Sequence, residues 1–350
     1  MNPVRTRLDG LQAGRAVAAV MVVLFHLTVF FLPEHYYGGE KVGPDIFKMG
    51  YAGVEFFFVL SGFIMVFVHR RDFDQPARAP RFLEKRIVRI YPIYWVIYGL
   101  LTLAYFAVPS VGPANGRDPV SIMTSALLWP MPDLPVLGVA WSLQYEMLFY
   151  LVFTLLVLNL RLGAVVFALW MAGCIWASLA GPAAYPLDFL LSFYNPLFAF
   201  GILAALYFQR LDPTVAHWVL LAGVVIFFGV GASEQLAGIG WNKAVRTWCF
   251  GIGACLVVMG LAAGALQPPK WLTFLGDASY SIYLVHIPAI SFAGIVFVKL
   301  GAPWGLPPLA MMAVMTVYAV AAGAIVHLFI EKPLISTLAR RRQALAGGAP

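Results

Sequence analysis

The sequence predicts an all-α, polytopic membrane protein with about ten transmembrane helices and both termini cytoplasmic. Three observations carry that reading. Of 350 residues, 61% are hydrophobic and only 11% charged, against about 45–50% and 25% in soluble globular domains. Apolar runs of about 17 to 25 residues recur along the chain, each closed by a polar or Pro/Gly turn. With the N-terminus placed inside, 17 of the 23 Lys and Arg residues, from Arg5 to Arg342, fall on the cytoplasmic side. Lys41, Lys48, Arg117, Lys243, Arg246 and Lys299 fall on the other, which is a positive-inside bias.

The first run, 11–32, is too long for a signal h-region and lacks a small-residue cleavage site, so it is expected to remain as a helix. Further runs lie at 50–69, 87–109, 141–160, 163–181, 188–208, 214–231, 247–266, 274–298 and 307–330. The stretch 120–140 is interrupted by Pro130, Pro132 and Pro135 just after Trp129, and reads as a partly membrane-embedded loop on the far side. A full span there would reverse the orientation of every later helix. The division expected is a transmembrane domain over 1–335 and a short basic cytoplasmic tail over 336–350. No loop is long enough for an additional soluble domain, and no internal repeat of the kind seen in many transporters is present.

The three cysteines, Cys174, Cys249 and Cys255, lie inside apolar runs without CxxC or CxxH spacing. That excludes a disulfide framework or a zinc site and leaves core packing; no metal is expected. The formal charge of +7 is accounted for by cytoplasmic anchoring rather than by nucleic acid.

His26 is the most informative residue. It lies within the first apolar run, and Arg15 is eleven positions earlier, which at about 100° per residue returns it to the same helical stripe about 16 Å away. An ionisable group in hydrocarbon faces protein, water or a partner and marks a functional site, although a histidine packed for stability is the simpler reading. Counting rise per residue puts His26, Glu55 and Glu146 at one depth in the outer third of the membrane. A histidine beside a carboxylate makes a general base; separate interfacial carboxylates snorkelling to water are the alternative.

Two polar stripes run along other spans. Ser142, Glu146 and Tyr150 recur at i, i+4 and i+8 behind Trp141, and Ser279, Tyr283 and His286 line a face of the ninth span. Tyr and Ser there serve equally as interhelical hydrogen-bond packing. At the cytoplasmic end of the third span, Arg86 and Arg89 form an i, i+3 pair suited to clamping phosphates, with Tyr91, Tyr94 and Trp95 close by for stacking. Ser61, in Leu60-Ser61-Gly62-Phe63, is a candidate nucleophile, though Ser-Gly inside a helix more often marks close packing. Walker A, GxGxxG, GxSxG and HExxH patterns are all missing.

Taken in order, these segments resemble the membrane-bound acyltransferase 3 family of bacteria. The stretches that carry the resemblance are Leu8 to Arg15 with His26, Gly53 to Phe63, Arg86-x-x-Arg89 with Ile-Tyr-Pro-Ile-Tyr-Trp, Trp141-Ser-Leu-x-x-Glu146, and Ser279 to His286. They cover nearly the whole chain. Two positions depart from the common pattern, Gly14 before Arg15 and Glu55 where Asp is common, and neither removes a charge. The opening Leu-Gln-Ala-x-Arg is most similar to the exopolysaccharide-modifying branch, and the fused esterase-like domain of some relatives is absent.

The resemblance implies transfer of an acyl group, usually acetyl from cytoplasmic acetyl-CoA, to glycan hydroxyls on the outer side of the inner membrane. His26 and Arg15 would be the essential pair, and Arg86 and Arg89 the donor-side motif. On this expectation Arg15, Arg86 and Arg89 hold the acyl-CoA, and His26 takes the acceptor's proton with Glu146 orienting its ring. The acceptor, a polysaccharide or lipid-linked oligosaccharide, attacks directly, since no activated Cys or Ser is evident. Glu55, Ser61, Trp141, Ser142, Tyr283 and His286 are secondary candidates. Membrane lipids are expected partners, a homo-oligomer is open, and a permanently bound cofactor is not expected. A glycan or lipid transporter or flippase also needs buried charge; it would favour broken helices and paired repeats.

Overall fold

The computed structural model describes residues 3–32, 42–108, 112–181, 183–299 and 306–347, so Lys41 lies outside the described residues. Within them every long element is a helix. In chain order these are α1 (Pro3–His26), α2 (Gly53–His69), α3 (Ala79–Ala107), α4 (Pro119–Ala126), α5 (Trp141–Leu158), α6 (Leu160–Ala180), α7 (Leu187–Leu190), α8 (Pro196–Tyr207), α9 (Pro213–Gln235), α10 (Lys243–Ala262), α11 (Lys270–Asp277), α12 (Ser279–Lys299), α13 (Pro308–Val326) and α14 (Lys332–Gly347). Among the described residues eight helical spans are long and apolar enough to cross a bilayer; the 21-residue α12 and the shorter Pro196–Arg210 occupy the other two runs read from the sequence.

Local chemistry sets the boundaries. Asn159 caps α6 by accepting from Leu162 N (2.9 Å). Asp212 caps α9 through Thr214 N and Val215 N, ahead of Pro213, and Asn242 caps α10 in the same way. Each cap satisfies main-chain donors that a helix start leaves open, which fixes where the chain turns back. α1 sits at the centre, with α2, α10, α11, α12 and α13 around it. Small residues allow the closest approaches. A side chain added at Gly62 of α2 would meet Phe198 O, and one at Gly201 of α8 would meet Val59 O, so the Ser61-Gly62 step does mark tight helix packing.

Two sequence expectations need correction. The run 188–208 is not one helix, because the chain breaks between Leu190 and Pro196 and leaves α8 with only 12 residues, about 18 Å against a hydrocarbon core of about 30 Å. The third span begins at Ala79 rather than at 87, with Pro80 in its first turn, so Arg86 and Arg89 lie two turns inside a regular helix. The last span runs on through a π-helical turn, His327–Glu331, into α14.

The stretch 120–140 does not span. α4 has eight residues, and the chain then returns through an irregular segment to a short turn at Gly138–Ala140. It is pinned against the middle of α3 by Tyr98, Tyr94, Trp95 and Tyr91, which donate to the carbonyls of Ile122, Ser125, Ala126 and Leu127. Those carbonyls lie in and just past the last turn of α4. Gln144 of α5 closes the loop by donating to Trp129 O (2.9 Å).

Candidate active site

Two cavities enter the bundle from opposite ends. The larger, about 1290 Å³, opens at the end rich in Arg and Lys. Its wall includes Gln12 and Arg15 of α1, Ser61 of α2, Lys85, Arg86 and Arg89 of α3, Ser142, Glu146 and Tyr150 of α5, and Lys332 and Arg341 of α14. The smaller, about 80 Å³, is lined by Val22, Phe25, His26, Tyr51, Val54, Glu55, Val139, Trp141, Tyr194 and Tyr283. Val54 and Tyr283 line both. One layer of side chains therefore separates the two.

In the basic cavity the predicted arginines behave differently from one another. Arg15 donates to Gln12 Oε1 (3.0 Å) and is carried there by the same helix that ends at His26 in the other pocket. Arg86 has a buried Nε with no hydrogen-bond partner, and its guanidinium carbon lies 6.0 and 5.8 Å from the Phe82 and Tyr150 ring centres. Arg89 is partly committed, since its Nη1 donates to Glu331 Oε1 (2.8 Å) beneath the Tyr280 ring. Glu331 is fully buried and also accepts from Ser281 Oγ (2.7 Å) and His327 Nδ1 (2.8 Å). That network escaped sequence reasoning. Its signal was Glu331 itself, the only carboxylate after Asp277, placed at the end of an apolar run.

Glu146 does not meet His26. It accepts from Ser61 Oγ (3.1 Å) and from Tyr150 Oη, inside the basic cavity. Ser61 is six residues beyond Glu55 on α2, about 9 Å deeper, so the expectation of one shared depth for His26, Glu55 and Glu146 is corrected. The cause is the embedded loop. α5 starts where that loop has already descended alongside α3, rather than at the membrane surface. Glu55, 1% exposed, does share the small pocket with His26.

The partner His26 does have comes from α12. His286, 0% exposed, places Nε2 3.3 Å from His26 Nδ1, with ring centres 4.9 Å apart and planes inclined 60°. Tyr283 sits one turn earlier, donating to Val139 O (2.9 Å) and paired with Ser142 Oγ (2.8 Å), which fixes α12 against the start of α5. Just beyond His26 the helix widens into a π-helical turn, Leu27–Phe31, a distortion often found at functional sites. Trp141 lies at the pocket rim within a cluster of Phe58, Tyr145 and Tyr194 rings. Among the described residues no group of three His, Cys, Asp or Glu side chains has metal-holding geometry.

The chain is thus a helical membrane protein with a basic cavity at one end and a histidine pocket at the other. An acyltransferase-domain family profile matches residues 8–328, and the chain belongs to that family, acyltransferase 3. It is 30% identical over 346 residues to the exopolysaccharide production protein ExoZ of Rhizobium meliloti, covering 89% of this chain and 97% of that protein. It is 27% identical over 394 residues to the acyltransferase MdmB of Streptomyces mycarofaciens, covering 100% and 97%. Nodulation protein 10 of Rhizobium leguminosarum bv. viciae is 27% identical over 67% of this chain and 70% of its own length. No solved structure matches the chain.

Proposed function

We propose that this acyltransferase moves an acyl group, acetyl above all, from cytoplasmic acyl-CoA to a hydroxyl of an exopolysaccharide or its lipid-linked repeat unit on the outer side of a bacterial inner membrane. The observation that carries the reading is the pair of cavities sharing Val54 and Tyr283. A donor entering through the basic cavity can present its thioester to a hydroxyl on the far side without crossing the membrane itself. The basic cavity is larger than the roughly 300–1,000 Å³ usual for drug-sized ligands, and Arg86, Arg15 and the free donors of Arg89 suit its phosphates. From Arg15 to His26 the helix rises about 16 Å, a length that suits an extended pantetheine arm. The far pocket is small, with room for a handful of waters, which favours a two-carbon acyl group. ExoZ, by its name, supports a polysaccharide acceptor.

In this reading His26 takes the proton of the acceptor hydroxyl. The oxygen attacks the thioester carbonyl, the tetrahedral adduct collapses with cleavage of the carbon–sulfur bond, and the CoA thiolate leaves with the proton returned from the imidazolium. Glu55 lies on the same pocket wall.

The test uses the purified full chain with acetyl-CoA labelled in the acetyl group, together with the O-acetyl content of surface glycan from wild-type and deletion cells. Label release that depends on His26, and a glycan that loses O-acetyl on deletion, are the results expected. A protein that neither consumes acetyl-CoA nor changes the glycan would return the chain to the transporter class.

A further inference from the structure

The His26–His286 contact carries more than packing. Backbone carbonyls can only accept, so each ring nitrogen that faces one bears a proton. His286 Nδ1 lies 2.7 Å from Tyr283 O and 3.3 Å from Ile282 O and is therefore protonated. In neutral His286 the other nitrogen, Nε2, is then a lone-pair acceptor. His26 Nδ1 lies 2.9 Å from Val22 O and 3.3 Å from that acceptor. Both partners demand the same state of His26, with hydrogen on Nδ1 and the lone pair on Nε2.

We propose that His286 is a positioning residue for acyl transfer, holding His26 as the Nδ1–H tautomer so that Nε2 is the proton-accepting atom. The inference rests on the reading of His26 as the base. The bond to Val22 lies within one turn of α1 and does little to fix the plane of the ring, whereas His286 belongs to a different helix and holds it from outside. α12 is itself rigidly placed. Tyr283 ties it to Val139 and Ser142, and Gly323 of α13 lets Ile282 approach so closely that an added Cβ would lie 2.4 Å from its Cα. Pro288, two residues beyond His286, lies inside the continuous α12 and removes one main-chain donor there. When Nε2 of His26 accepts the acceptor's proton, the ring becomes cationic and its Nδ1–H is a stronger donor. His286 Nε2, a neutral acceptor with no proton of its own, then faces a charge it stabilises rather than repels.

His286→Phe keeps a ring without the acceptor, and His286→Gln restores a side-chain carbonyl that can accept. His286→Phe should lower the turnover of acetyl-CoA about 10- to 100-fold, toward the lower end of what positioned acid–base groups supply, with KM for acetyl-CoA within about twofold of wild type. His286→Gln should recover most of that rate. The readout that packing alone would not move is the tautomer of His26. Two-dimensional ¹⁵N–¹H spectra of imidazole-labelled full-length protein, assigned with His26→Ala, should show Nδ1–H for His26 in wild type and in His286→Gln, and a mixed population in His286→Phe. An Nε2–H tautomer in wild type, or a His286→Phe variant with wild-type turnover, overturns the inference. A His26→Ala protein that still acylates would overturn the base assignment instead, and the spectra would still report the tautomer.

Discussion

The two ends of the bundle house their charge in different ways. The basic cavity is wide, and its cations are spread over α1, α3 and α14 with carboxylates at Glu146 and Glu331 to offset them. The histidine pocket is small and rich in aromatic side chains, and sets the half-buried His26 ring and the buried Glu55 carboxyl in its wall, with His286 buried behind His26. A wide cavity ringed by cations admits solvent and a flexible, highly charged ligand, so individual residues there contribute affinity in parallel. A tight pocket makes each polar contact matter, because a displaced group finds few alternative partners. The difference suits binding at one end and chemistry at the other.

The sharpest way to break that contrast is at His26. His26→Ala should reduce glycan O-acetylation by at least about 100-fold, measured by alkali-released acetate against protein level in the membrane. Acylation within a fewfold of wild type would mean the small pocket is not the reaction site. Arg86→Ala should weaken acyl-CoA binding about 10- to 150-fold in a salt-sensitive way, as expected for a charge-assisted phosphate contact worth about 1.5–3 kcal/mol, and lysine should restore only part of it. Isothermal titration with CoA checks both.

Arg89→Ala separates affinity from architecture. Removing it leaves Glu331 buried beside only Ser281 and His327, so the variant should lose thermal stability by more than Arg86→Ala does, and Arg89→Ala/Glu331→Gln should recover part of the loss. Equal melting temperatures for the two single variants would make Arg89 a ligand-binding group and no more. Glu146→Gln should shift KM for acyl-CoA by up to about tenfold while its rate-versus-pH curve overlays wild type, since Glu146 contacts Ser61 and Tyr150 rather than His26. A displaced pH curve would join the two cavities electrostatically. The smallest effect belongs to Tyr94→Phe, which removes one hydroxyl donor to Ser125 O and should cost about 0.5–1.5 kcal/mol of stability with turnover unchanged.

How far the sequence alone reaches follows the same division. Arg15 and His26, and Arg86 and Arg89, are related by spacing along a single helix, and helical periodicity places them with no knowledge of the fold. His26 and His286 are 260 residues apart, and nothing in either segment says which faces will meet. That depends on Gly323 and Ile282 drawing α13 onto α12, a packing event without periodic trace. The depth of Glu146 was misread for a related reason. Rise per residue locates a side chain only relative to its own helix start, and the prolines that exposed the 120–140 loop did not reveal how far it descends. Arg89 read as a phosphate-clamping residue, and its ion pair with a carboxylate 242 positions away has no trace in the local spacing.

The shared wall of Val54 and Tyr283 also has an electrical consequence. A water-filled cavity carries the potential of the solution it opens to, so the voltage across an energised membrane falls mainly over whatever separates the two openings. Here that is a single side-chain layer between Arg15 and His26. A proton or anionic intermediate displaced through it would traverse most of the field, at about 2.3 kcal/mol per elementary charge per 100 mV. On the proposed reaction, widening that layer at Val54 or Tyr283 would set easier passage of the acyl arm against the integrity of the membrane that holds it.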